Sequence, residues 1–120
     1  MELLTSSVSG IEVERRIERQ RIAVPAVFDA EVFAAIRRLL RLRAIDLPLA
    51  QGSLLETARL HAERHSLTEL LPEAFALRDR FGAYDVFYVV LARRLGATLV
   101  TSDRPLARGA AGYVDVALVS

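Results

Sequence analysis

The chain has 120 residues, of which 52% are hydrophobic and 26% charged, with a formal net charge of +1. That length is enough for one buried core, and the near balance of charge excludes a polybasic nucleic-acid arm and an acidic tail. Cysteine is absent, which excludes disulfides and thiolate metal sites and suits a reducing cytosol.

The opening, MELLTSSVSG, lacks the cationic stretch and apolar core of a secretory signal. With no apolar run long enough to span a membrane, a cytoplasmic protein is expected. MELLTSSV itself reads as the end of a helix or an opening loop. Ser9 can cap a helix over Ile11 to about Gln20, with Glu12 placed for a capping box. Arg21 to Val24 reads as a short strand stopped by Pro25. Phe28 to about Arg43 is a helix with Phe28, Val32, Ile36, Leu39 and Leu40 on one stripe. Pro48 opens another helix that continues to about His61, and Ser66 to Leu70 fits a strand or a loop. Pro72 to Phe81 reads as a helix, Asp85 to Leu95 as a second, Ala97 to Thr101 as a buried strand, and Tyr113 to Val119 as a last strand. Helices alternating with short apolar strands predict an α/β fold with a mostly parallel sheet, as a single domain over 1–120.

The segment DVFYVVLARRLGATLVTSD places Asp85 before the helix and Asp103 after the strand. The helix rises roughly 16 Å at 1.5 Å per residue. The strand returns roughly 16 Å at 3.3 Å per residue. The lengths cancel, so both aspartates are expected at the carboxyl edge of the sheet, where open parallel sheets bind ligands. Each can also act as a helix N-cap, and Asp103 precedes Pro105 at the start of a short helix. Two carboxylates returned to one edge favour a shared cation, a role compatible with capping. At the other strand–helix junction, Asp29 and Glu31 both fall in the first turn, where acidic residues suit the helix dipole. Residues two apart point about 200° from one another, so at most one faces that edge, and periodicity leaves open which.

Other features carry less. His61 and His65 have the i, i+4 spacing of a helical metal pair, but no glutamate stands where a zinc protease needs it. Arg37, Arg38, Arg41 and Arg43 stud one helix and can meet RNA phosphates or form a solvated face. All sixteen basic residues are arginine, the better fork for phosphate. Thr101 and Ser102 can hydrogen-bond a water or phosphate, or simply close the strand. Tyr84 and Tyr88 bracket the acidic site, with core packing as their default role.

PAVFDAEVFAAIRR, AYDVFYVVLARRLGATLVTSD and RPLAR resemble the PIN-domain ribonucleases, especially the VapC-like toxins of bacterial toxin–antitoxin pairs. The resemblance spans essentially the whole chain, and its most specific block is 85–103. It implies a three-layer α/β/α sandwich and selects Glu31 over Asp29, together with Asp85 and Asp103, as catalytic and metal-binding residues. It also implies Mg²⁺ or Mn²⁺ as cofactor, hydrolysis of RNA such as tRNA, a cognate antitoxin and a homodimer. Thr101, Ser102, Arg37 and Arg38 are the expected substrate contacts.

The family's first acidic residue ends an initial strand, in an apolar run followed by Asp-Ala-Ser. Here no aspartate precedes Asp29, and MELLTSSVSG matches the stretch after that motif. Glu2 stands in the wrong context to replace it. The first strand and one ligand are therefore expected to be missing from an N-terminally short domain. Either a further segment upstream of Met1 supplies them, or a rearranged segment or a partner's strand fills the slot. Two functions follow: a metal-dependent endoribonuclease toxin, or a catalytically impaired remnant that binds an antitoxin or another protein.

Overall fold

The computed structural model describes residues 2–4 and 21–119. Its centre is a five-stranded, wholly parallel sheet of order β3-β2-β1-β4-β5. The strands are β1 (Glu2–Leu4), β2 (Ile22–Pro25), β3 (Ala62–His65), β4 (Thr98–Thr101) and β5 (Val116–Leu118). The helices are α1 (Val27–Arg41), α2 (Leu47–Arg59), α3 (Leu71–Ala76), α4 (Asp85–Leu95) and α5 (Arg104–Ala110). They form an α/β/α sandwich, as the resemblance implies.

The opening of the chain departs from expectation. Glu2–Leu4 is neither a helix end nor a loop but the central strand. Glu2 and Leu3 pair with Ile22 and Ala23 on one side, and Glu2, Leu3 and Leu4 pair with Thr98, Leu99 and Val100 on the other. Three residues carry no periodicity that could announce a strand, but neighbours on both sides let even so short a segment satisfy its backbone groups. The first strand is therefore present, and the slot between β2 and β4 is filled by residues 2–4. What the sequence places directly after it is Thr5, not aspartate. Thr5 and the helix expected over Ile11 to Gln20 lie outside the described residues.

Several boundaries move. Pro25 ends β2 rather than stopping it from outside, and Ala26 N–H continues the pairing by donating to His65 O at 2.8 Å. The helix expected to reach His61 stops at Arg59, and the polar Ala-Glu-Arg-His segment becomes β3. As an edge strand paired only with β2, it can afford alternating polar side chains. Ser66 to Leu70 resolves as a loop and a short 3₁₀ turn over Thr68–Leu70, and α3 ends at Ala76 instead of Phe81.

The expected helix and strand at 85–101 form. α4 is apolar nearly all round, with Val86 and the run Tyr88 to Ala92 buried, the mark of a helix inside a core. It packs against β1, β2 and β4, where Ile22, Ala23, Val24, Leu99 and Val100 are likewise buried. Gly96 ends it in the left-handed conformation (φ 61°), a backbone that costs other residues strain. The strand order reverses beside β1, so the crevice outside the carboxyl ends of β1 and β4 is the topological switch point. Glu31, Asp85 and Asp103 all belong to helix starts or loops on that edge.

Candidate functional site

The helix α1 begins one residue earlier than expected, at Val27, so only Asp29 lies in its first turn and Glu31 follows just beyond it. Arg64, on edge strand β3, reaches across and grips Asp29 with both ends of its guanidinium, Nε to Oδ2 at 2.7 Å and Nη2 to Oδ1 at 3.0 Å. The same guanidinium donates to Leu60 O at 3.2 Å and Thr57 O at 3.0 Å, closing the end of α2. The Asp29 contact raises the pKa of Arg64 above its usual value. Asp29 is thus committed to a structural clamp, and Glu31 is left to face α4.

Glu31 meets Tyr88, whose hydroxyl donates to its Oε1 at 2.5 Å. Burial lifts the Glu31 carboxyl above its ordinary pKa, the Tyr88 hydrogen bond pulls it back, and the charge of Asp85 lifts it further. Asp85 is raised as well, first by burial and then by Asp103. Burial, then Glu31, push the Tyr88 hydroxyl far up, so that it stays a donor. Asp85 does not cap α4: the capping position is Tyr84, and no side-chain cap is made. Its carboxylate is therefore not consumed as a cap and, while it suits the dipole of the first turn, stays open to a ligand.

Asp103 does cap. Its Oδ1 accepts from Leu106 N–H at 3.0 Å, at the start of α5. Its own N–H donates to Thr101 Oγ1 at 3.1 Å, so the buried Thr101 shapes the turn that carries the aspartate. Ser102 lies half-buried in that turn. The charges connect in series, Glu31 sensing Asp85 and Asp85 sensing Asp103. Among the described residues no three Asp, Glu, His or Cys side chains form a ready-made metal cage. An open row of carboxylate oxygens fits a hard cation such as Mg²⁺, which takes one or two carboxylates and completes its shell with water and phosphate. It does not fit zinc, which prefers nitrogen and sulfur in a closed tetrahedron.

The remaining candidates separate. Arg37 and Arg38 are exposed on α1. His61 is exposed in the loop before β3 and His65 ends that strand beside Glu63, 3.6 Å away, so the helix that would have aligned the two histidines does not exist. Tyr84 is 60% exposed. Sequence reasoning missed Arg64 altogether, and nothing local to it could have revealed a partner 35 positions away. Tyr88 offered one signal: it sits three residues after Asp85, on the same face of a helix.

The PIN domain family matches residues 1–112. Ribonuclease VapC3 of Mycobacterium tuberculosis is 38% identical over 96 residues, covering 80% of this chain and 70% of its own. Ribonuclease VapC12 of the same organism is 30% identical over 120 residues, covering 100% and 93%. Among solved structures, VapBC2 from Rickettsia felis, bound to a DNA fragment from its promoter, superposes with a TM-score of 0.70 at 14% identity, covering 99% of this chain and 98% of that one. PAE2754 from Pyrobaculum aerophilum gives 0.72 at 24% identity over 95% and 82%. The two structures speak for the fold, and the sequence matches carry the kinship: the chain belongs to the PIN domain family, among its VapC-like members.

Proposed function

We propose that this protein is a metal-dependent endoribonuclease, the toxin of a type II toxin–antitoxin pair, and that Glu31, Asp85 and Asp103 form its active site. The observation that carries the reading is the row of carboxylates at the switch point, two of them with raised pKa and Asp85 without a capping role. The names of its relatives, ribonucleases VapC3 and VapC12, agree with it.

In this reading Glu31, Asp85 and Asp103 hold Mg²⁺ or Mn²⁺, which supplies Lewis acidity, acidifying water and offsetting phosphate charge. The chain's own residues do the rest. Without a cation the carboxylates would repel an RNA backbone. Asp103 is fixed by its cap to α5, and Thr101 braces the turn behind it. Thr101, expected as a substrate contact, is fully buried and serves the turn instead; the half-buried Ser102 lines the approach to the phosphate, and the exposed Arg37 and Arg38 take neighbouring phosphates along the strand. The exposed apolar residues Phe33, Leu42, Leu47 and Leu49, on α1, α2 and the turn between them, suit burial by an antitoxin and by a second copy of the chain. The domain acts in the cytoplasm.

Cleavage of total tRNA by the purified chain with Mg²⁺ or Mn²⁺ tests the reading. Wild type should cut, whereas Asp85→Asn and Asp103→Asn should lose at least about 100-fold in rate, the scale on which removing electrostatic stabilisation acts. Intact RNA at saturating metal would overturn it. One observation favours a second reading. The residue after β1 is Thr5 rather than the family's aspartate, which suits an impaired domain that binds an antitoxin without cutting. Antitoxin binding with no cleavage in the same assay selects that alternative.

A further inference from the structure

Tyr88 is the largest side chain that the described fold buries completely, at 1% exposure. A phenylalanine would fill the same space without placing a hydroxyl in the core, and a buried hydroxyl is costly unless it finds a partner. The hydroxyl is accounted for by what it holds: Glu31 Oε1, 2.5 Å away and 57 positions distant in the chain. Among the described residues no other hydrogen bond reaches Glu31. Asp85 and Tyr88 lie one turn apart on α4, so a single helix face presents a carboxylate and a donor to Glu31 near the start of α1. Arg64 draws Asp29 the other way.

We propose that Tyr88 is a positioning residue of the acidic site: its hydroxyl fixes Glu31 by one carboxylate oxygen and leaves the other for a divalent cation. The proposal rests on reading the three carboxylates as a cation site. A glutamate on the surface of a helix has three side-chain torsions to immobilise when it binds a ligand. Held in advance by Tyr88, it loses less freedom on binding. Partners that orient metal ligands in this way are worth about 10- to 100-fold in metal affinity.

The test compares Mn²⁺ affinity, measured by calorimetry on the intact chain without RNA, in wild type, Tyr88→Phe and Val89→Ala. Val89 is buried on the same helix and makes no contact through a polar group, so its truncation reports loss of packing alone. Tyr88→Phe should bind Mn²⁺ about 10- to 100-fold more weakly, while Val89→Ala, though less stable, should bind within about twofold of wild type, since it leaves the oriented ligand untouched. Cleavage by Tyr88→Phe should return as Mn²⁺ is raised. Replacing Tyr88 with 4-aminophenylalanine, which restores a donor, should recover part of the affinity. In a Glu31→Gln background, Tyr88→Phe should cost nothing further. Equal Mn²⁺ affinity in wild type and Tyr88→Phe overturns the positioning role and leaves the cation site standing. A wild-type chain that binds no Mn²⁺ overturns both.

Discussion

Asp85 carries a carboxyl that folding makes harder to ionise, through burial first and Asp103 second. The unfolded chain releases this proton near the ordinary value of 3.8, the folded chain at a higher pH. Between those two points the folded state binds more protons, so stability falls as pH rises through the window, and by neutral pH the whole loss is incurred. Asp85→Asn removes the ionisation and keeps the shape. Without metal, it should melt a few degrees above wild type at pH 7, roughly 3–6 °C for each ~1 kcal/mol in a domain of this size. The gap should close as the pH is lowered towards 4. Mn²⁺ should raise the melting temperature of wild type, by binding only the folded state, and raise that of Asp85→Asn less. Calorimetric melts across pH, with and without Mn²⁺, check both. A variant less stable than wild type at neutral pH would mean that Asp85 serves the fold rather than a ligand.

At the scale of elements, the Arg64–Asp29 pair ties β3, the end of α2 and the first turn of α1 together. Arg64→Met should lower stability by about 1–2 kcal/mol, the range for charged hydrogen bonds that are only partly exposed. Asp29→Asn should cost less, and the double variant no more than Arg64→Met, the non-additivity of a shared contact. Denaturant melts of the four proteins measure this. The same pair shows where sequence reasoning reached and where it stopped. The helix from Asp85, the glycine that ends it, the strand after it and the Asp103 cap are all local, and each was legible from neighbouring residues. β1 and β3 were not, because one is three residues long and the other is polar, and both are held by partners distant in sequence. The choice of Glu31 over Asp29 came from family resemblance. What the structure adds is that Asp29 is held by an arginine on another strand, and no periodicity within α1 contains that contact.

At the scale of the whole molecule, several large apolar side chains among the described residues are exposed. Phe33, Leu42, Leu47 and Leu49 are each at least 55% exposed on or between α1 and α2, and exposed apolar surface, where contiguous, marks interaction sites. Light scattering is expected to show a dimer, and Phe33→Asp or Leu42→Asp to shift it to the monomer with little change in melting temperature. A wild-type chain that stays monomeric at high concentration would contradict this. The central position of β1 has a different consequence, one of timing. β1 leaves the ribosome well before β4, the partner on its other side. Until Thr98 to Thr101 emerge, β1 can pair on one side only, α4 has no completed sheet to cover, and Asp103 has not been made. The acidic edge can therefore be completed only after β4 is made, so a chain broken off before Thr98 would carry Glu31 and Asp85 without the strand that brings Asp103 beside them. Such fragments would lack the carboxylate edge proposed above as a cation site, which ties completion of that edge to completion of the sheet.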